Sequence, residues 1–234
     1  MENHTIATRD AWIEARKELL AKEKDFTRLR DQLSQKRRDL PWVVVEKSYV
    51  FEGPNGKETL PQLFEGRGQL IVYHFMFDPS WEAGCKSCSF WADNFNGIIV
   101  HLKHRDVTMV TVSRAPYQKL AAYQKRMGWT FKWLSSFGND FNRDYHVSHT
   151  PQELAQGEAE YNYTRQKPYG SEAPGISVFR DEGSAVFHTY SCYARGLDML
   201  NGAYHLLDLV PKGRDEAHLA HNMSWLQRHD EYTD

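Results

Sequence analysis

The chain reads as an α/β protein in which a central mixed sheet is flanked by helices and preceded by one long N-terminal helix. Three observations predict this class. The stretch "QLIVYHFMF" (residues 69–77) is a nearly unbroken apolar run, the pattern of a strand buried on both faces in a helix-covered sheet. A second β-branched run, "VTMVTV", follows at 107–112. Between them, Phe90, Trp91, Phe95, Ile98, Ile99 and Leu102 fall on one side of a helix predicted over 89–103. Strand, helix and strand of these lengths make a βαβ unit with parallel strands and a right-handed crossover.

The other elements follow in chain order. Residues 10–38 hold no Gly or Pro, and Trp12, Ala15, Leu19, Phe26, Leu29 and Leu33 form a three-four seam that only Lys22 breaks. Thr8 or Asp10 caps this helix and Pro41 ends it, giving an N-terminal extension over 1–40. Its seam suits either packing across the following domain or pairing with a second copy in a homodimer. In the domain expected over 41–213, "VVV" (43–45) and "YVF" (49–51) are short strands, and "GPNG" (53–56) is a turn. Residues 116–126 form a helix with Pro in its first turn, ending before Gly128, and "FKWL" (131–134) is a third sheet strand. Residues 138–170 are polar and aperiodic, and read as an insertion with one helix near 151–159. "ISVF" (176–179) and "AVFHTY" (185–190) flank "RDEGS" to make a hairpin. A last helix spans 197–209, and a polar tail covers 214–234.

Composition narrows the function. A net charge of -2 gives no basic face for nucleic acid. No apolar run approaches the roughly 20 residues needed to span a membrane, and "MENHTIATRDAW" is not a secretory signal. Three cysteines do not make a disulfide scaffold, so a reducing cytoplasm is expected.

Two of those cysteines sit in "WEAGCKSCSF" (81–90), where the buried strand hands over to a helix. Unpaired N–H groups and the helix dipole favour a thiolate there, and Lys86 adds positive charge. Cys85, nearer the loop, would attack a substrate disulfide, and Cys88 would resolve the mixed disulfide. Two other readings stand beside this one: inert buried thiols, or a zinc site completed by His101 and His104. Zinc fits less well, because on one helix over 89–103 His101 would lie roughly 20 Å along the axis, at about 1.5 Å per residue. No metal or cofactor is therefore expected, since the dithiol itself stores the electrons.

Pro174, in "APG" just before the hairpin, is placed like the cis-proline that faces the dithiol in thioredoxin-like folds. With it the class sharpens to a thioredoxin-like fold. The backbone at such a proline can pair with an extended substrate beside the reactive sulfur. Asp78 and Glu82, in the loop before the dithiol, could exchange protons with Cys88, and Trp81 could shape a substrate face or cap the core. Cys192 reads as a small buried hydrophobe. His188 and Tyr190 share a strand face, while Trp129, Trp133 and Tyr145 line either core or pocket.

Four stretches, "FMFDPSWEAGCKSCSFWAD", "RMGWTFKWLSS", "DFNRDYHVS" and "VFHTYSCYARG…LLDLVPKGRDE", together resemble the bacterial family called domain of unknown function 899, over nearly the whole chain. That resemblance implies a thioredoxin-like dithiol–disulfide oxidoreductase acting on a disulfide-containing protein or a small thiol. The sequence departs from the thioredoxin pattern Trp-Cys-Gly-Pro-Cys: Gly84 replaces the tryptophan, and Lys86 and Ser87 replace Gly-Pro. "FEGPNGKETLPQLFEGRGQLIVYHFMF" also resembles the opening of peroxiredoxins, which implies a thiol peroxidase as the alternative. However, Glu82 stands where peroxiredoxins carry Thr or Ser. The remaining alternative is a binding module with structural or metal-bound thiols.

Overall fold

The computed structural model describes residues 4–233. The chain divides into two compact units, Met1–Pro41 and Trp42–Asp234. The first is a single helix, α1 (Arg9–Arg38), whose N-cap Thr8 accepts a hydrogen bond from the Ala11 N–H at 3.3 Å. Asp10 in its first turn and Lys36, Arg37 and Arg38 in its last complement the helix dipole.

The second unit is built on an eight-stranded sheet. Its strands are β1 (Val43–Val44), β2 (Val50–Gly53), β3 (Gly56–Thr59), β4 (Gln69–His74), β5 (Val107–Ser113), β6 (Trp133–Ser135), β9 (Gly175–Asp181) and β10 (Val186–Tyr193). A separate two-stranded hairpin contributes β7 (Ala159–Tyr161) and β8 (Thr164–Gln166). The order across the sheet is β1-β10-β9-β4-β5-β6-β2-β3. β4, β5 and β6 run parallel, and the other pairings are antiparallel. The inner set β10-β9-β4-β5, with a helix crossing from β4 to β5 and another following β10, is a thioredoxin-like fold.

β4 alternates its side chains into two cores, as a strand buried on both faces must. Tyr73 faces a core with Phe75, Cys88, Trp91, Phe95, Leu120 and Trp133. Leu70 and Val72 face the other, with Phe51, Leu63, Val110, Phe141 and Phe179. Ladder pairing of the run over 69–77 stops at His74, although Phe75 and Phe77 remain buried. Among the described residues, no helix is long and apolar enough to cross a membrane.

The helix expected over 89–103 starts earlier and is broken. It forms α2 (Lys86–Ala92) and α3 (Ile99–Lys103), separated by "DNFNGI". Asn and Gly compete poorly for helix interiors, and here the asparagines are used. Asn94 donates to the carbonyls of Phe90 (2.9 Å) and Trp91 (3.2 Å), and Asn96 accepts from the Thr130 N–H at 2.8 Å. α4 (Tyr117–Arg126) follows β5. The expected insertion contains α5 (Phe141–Asp144), α6 (Pro151–Gln156) and the β7–β8 hairpin, whose three-residue strands are too short to show a period. The last helix is a 3-10 turn over Ala194–Leu200 and then α7 (Gly202–Leu207), capped by the Asn201 side chain.

Asn94 also joins the dithiol helix to α7, because its side-chain oxygen accepts from the Gly202 N–H at 3.0 Å. Asn94→Ala is expected to cost about 1–3 kcal/mol, the range for unpairing hydrogen-bonded groups in a part-buried site. Urea unfolding monitored by fluorescence measures it, and a change under about 0.5 kcal/mol would show that the break does not depend on this side chain.

Candidate active site

Cys85 and Cys88 lie at the first turn of α2, which begins at Lys86 with Cys85 as its N-cap. Both are held by Met76, in the extended segment after β4. The Cys85 N–H donates to the Met76 carbonyl at 3.2 Å, and the Met76 N–H approaches the Cys88 sulfur at 3.4 Å. Ser89 secures the turn, donating from its N–H (3.0 Å) and its hydroxyl (2.9 Å) to the Cys85 carbonyl. Cys88 is buried, Cys85 is half-buried, and neither is in a disulfide.

The two sulfurs are driven apart electrostatically. The Cys88 thiol, directed at Cys85, holds the Cys85 pKa down to about 7. Burial opposes this, while the N–H groups of Cys88 and Ser87 and the Ser87 side chain reinforce it. Those N–H groups polarise the sulfur without closing a capping hydrogen bond. Burial first, and then the neighbouring Cys85 thiolate, push the Cys88 pKa well above the ordinary thiol value. The half-buried sulfur is therefore the more readily ionised of the two, and the buried one holds its proton.

The other expected residues divide. Lys86 and Glu82 are exposed. Trp81 is half-buried, and its carbonyl accepts from Lys119 at 2.7 Å. Asp78 is buried, and burial would raise its pKa. The N–H and hydroxyl of Ser80 (2.9 and 2.7 Å), with Arg114 at 2.5 Å, outweigh that and hold it below the usual carboxylate range. The expected cis bond at Pro174 is corrected: among the described residues every peptide bond is trans. The neighbouring backbone is already engaged, since the Ala173 N–H donates to the Val147 carbonyl (2.9 Å) and the Tyr161 hydroxyl to the Pro174 carbonyl (2.7 Å). Cys192 is half-buried against the core, with its thiol 3.6 Å from the Gly196 carbonyl. His188 binds the Ser191 hydroxyl at 2.7 Å, and Trp129, Trp133 and Tyr145 are buried core residues. His104 bonds the Val100 carbonyl at 2.8 Å on α3. Among the described residues no three His, Cys, Asp or Glu side chains gather as metal ligands.

Sequence reasoning missed Glu172, two residues before Pro174. It is 5% exposed, accepts from Arg114 at 2.6 Å and from the Ser148 hydroxyl at 2.6 Å, and shares Arg114 with Asp78. Burial raises Glu172 to about 7 against the pull of Arg114 and Ser148, and the charge of Asp78 adds to the rise. Nothing in "GSEAPG" announces this, because both of its partners are distant in sequence.

Two adjoining cavities share Met76, Ser87, Pro174, Ala194 and Met223 in their walls. One, of about 250 Å³, includes Cys88, Tyr73, Trp91, Leu197 and Tyr204. The other, of about 360 Å³, includes Trp81, Tyr161 and Glu172. The C-terminal segment read as a polar tail reaches this region. Arg228 donates to the Gly84 carbonyl and the Tyr123 hydroxyl, both at 2.8 Å, and Met223 borders both cavities.

Residues 1–232 match the family described as bacterial protein of unknown function (DUF899). The chain belongs to this family. No curated protein matches it in sequence. Peroxidoxin BcpB from Mycobacterium tuberculosis is similar in structure at 12% identity and TM-score 0.48, covering 69% of this chain and 93% of that one. Peroxiredoxin Q from Xanthomonas campestris is similar at 14% identity and TM-score 0.43, covering 69% and 96%. A putative thiol:disulfide interchange protein DsbE from Chlorobium tepidum is similar at 12% identity and TM-score 0.44, covering 69% and 95%.

The raised pKa of Glu172 has a signed consequence. A carboxyl that prefers its proton in the folded state stabilises the fold fully below the ordinary value of 4.5, and that contribution is lost as pH rises through about 7. Glu172→Gln should remove this component. The stability difference between wild type and variant is expected to move by about 2–3 kcal/mol between pH 5 and 8, in the variant's favour at the higher pH. Denaturant melts of both proteins across that range test it, and a constant difference would show that Glu172 titrates normally.

Proposed function

We propose that this protein is a thiol–disulfide oxidoreductase in which Cys85 attacks and Cys88 resolves. The observation that carries the reading is the opposite treatment of two thiols at one helix start: Cys85 is half-buried with its pKa lowered, and Cys88 is buried with its pKa raised. An attacking thiol works best with a pKa near ambient pH, and a resolving thiol should stay protonated until the mixed disulfide has formed. The thiolate of Cys85 displaces one sulfur of the substrate disulfide. Cys88 then gives up its proton, attacks Cys85 and releases the second thiol. No cofactor takes part, because the two electrons come from the dithiol. The small number of cysteines suits a reducing compartment, and the cytoplasm is the proposed location.

Alkylation with iodoacetamide should modify Cys85 with a midpoint near pH 7, while Cys88 resists until the protein unfolds. Cys85→Ser should abolish disulfide reduction. Cys88→Ser should accumulate a mixed disulfide on Cys85 that mass spectrometry detects. Ordinary titration of both thiols near 8.5, the free-thiol value, would sink the exchange reading. Rapid Cys85-dependent consumption of hydrogen peroxide, faster than disulfide reduction, would make the protein a thiol peroxidase instead.

A further inference from the structure

We infer that the dithiol acts on a small apolar disulfide, seated in the cavity beside Cys88, rather than on an extended polypeptide. This inference rests on the exchange reading above and names its substrate class.

A polypeptide adds to a sheet edge through free backbone N–H and C=O groups. In a thioredoxin-like fold the segment that would offer them beside the sulfur precedes β9, and here it is residues 171–173. Two of those groups are already paired within the chain. The His149 N–H donates to the Ser171 carbonyl at 2.9 Å, and the Ala173 N–H to the Val147 carbonyl at 2.9 Å. Between these two bonds, Ser148 and Glu172 form an antiparallel bridge. Residues 147–149 thus occupy this edge of the segment. Side chains fasten them, since Ser148 donates to buried Glu172, which Arg114 also holds. Displacing this strand would strip partners from a buried charged cluster, a costly exchange for any peptide.

The cavity of about 250 Å³ opens beside Cys88 and Ser87 and adjoins the one of about 360 Å³ at Met76, Pro174 and Met223. Its walls are aromatic, aliphatic and thioether: Tyr73, Met76, Trp91, Leu197, Tyr204 and Met223. Arg214 and Glu216 at its border are engaged within the chain. Arg214 pairs with Asp198 at 2.9 Å and Asp208 at 2.7 Å while lying 4.0 Å over the Tyr204 ring. Glu216 accepts from the Tyr204 hydroxyl, the Met223 N–H and the Trp225 indole at 2.7, 3.0 and 2.7 Å. Arg195, exposed at the rim, lies 3.6 Å from Asp198. An apolar cavity of about 150 Å³ suffices for benzene, so this one suits a single ring with a short substituent. Flexible methionines on two sides let it fit several such groups.

The chemistry balances on the protein alone. The Cys85 thiolate bonds to one sulfur of RS–SR and the S–S bond breaks, releasing RS⁻. Cys88 loses its proton and bonds to the Cys85 sulfur, releasing the second RS⁻. The thiol protons of Cys85 and Cys88 end on two RSH, and the substrate is reduced by two electrons as the Cys85–Cys88 disulfide forms.

The reduced full-length protein would be mixed in single-turnover experiments with 4,4′-dithiodipyridine, glutathione disulfide and insulin. Each rate is divided by that of free dithiothreitol, to remove the intrinsic reactivity of the disulfide. The aryl disulfide should exceed both others at least tenfold on this scale. Asn222→Trp, at the exposed mouth of the cavity, should lower the aryl rate at least fivefold relative to that of glutathione disulfide. Insulin or glutathione disulfide reacting as fast as the aryl compound would overturn the substrate class and leave exchange standing. An unchanged ratio in Asn222→Trp would overturn the seat. Failure of all three disulfides to oxidise the dithiol would remove the exchange reading and this inference together.

Discussion

Met76 holds both cysteines of the pair through its own backbone: its carbonyl accepts the Cys85 N–H, and its N–H faces the Cys88 sulfur. Met76 in turn is fixed by the sheet, although ladder pairing has ended at His74. The Phe75 N–H donates to the Val112 carbonyl at 3.0 Å, and the Ala115 N–H to the Phe77 carbonyl at 2.8 Å, so the chain runs on beside the end of β5. The Ser113 hydroxyl donates to the Phe75 carbonyl and accepts from the Trp133 indole, which ties the same point to β6. The dithiol is therefore referred to three strands rather than to a loose loop. That rigidity allows two thiols so close in sequence to keep different environments, one at the rim and one against the core.

Two segments outside the βαβ unit converge on that point. The insertion brings residues 147–149 alongside 171–173, and the β7–β8 hairpin contributes Tyr161 to the backbone of Pro174. The C-terminal segment brings Arg228 to Gly84 and Tyr123, and Met223 to both cavities. Each uses buried or charge-assisted hydrogen bonds, which cost more to leave unmade than exposed contacts do. The Arg114 cluster shows the consequence. It fastens the inserted strand, and it leaves one carboxyl, Glu172, too deep to ionise freely beside Asp78.

The parts of this arrangement legible in the sequence depend on local pattern. The apolar run of β4 and the cysteines at the start of a helix are written in adjacent letters, so the order of the βαβ unit could be read. The break after α2 was also written, in Asp93, Asn94, Asn96 and Gly97, but the apolar residues beyond it continue the helical spacing and mask the interruption. Three features lay beyond local reading because distant partners make them. Glu172 takes its character from Arg114 and Ser148, the trans bond at Pro174 sits in backbone already paired with the insertion, and the polar tail acquires order from Tyr123, Gly84 and Tyr204. Charged residues at a chain end look alike whether solvated or docked, since their number and spacing do not change.

The departure from a thioredoxin-type motif at Gly84 follows from packing. A Cβ there would lie 2.7 Å from a Phe75 ring carbon and 2.8 Å from one of Tyr123, closer than real contacts allow. Both rings belong to the core beneath α2, so no side chain of any size fits before Cys85 without rebuilding it. The tryptophan that such motifs place there has no room in this chain. What stands at that position instead is backbone, and its carbonyl is taken by Arg228 from the C-terminal segment. The cavity wall beside Ser87 is instead shared by Trp81, from the loop before the dithiol, and Met223, from the C-terminal segment. An active-site pair can keep its spacing and its helix while the recognition around it is rewritten, because the spacing is fixed by one turn of backbone and the recognition by whatever packs against that turn.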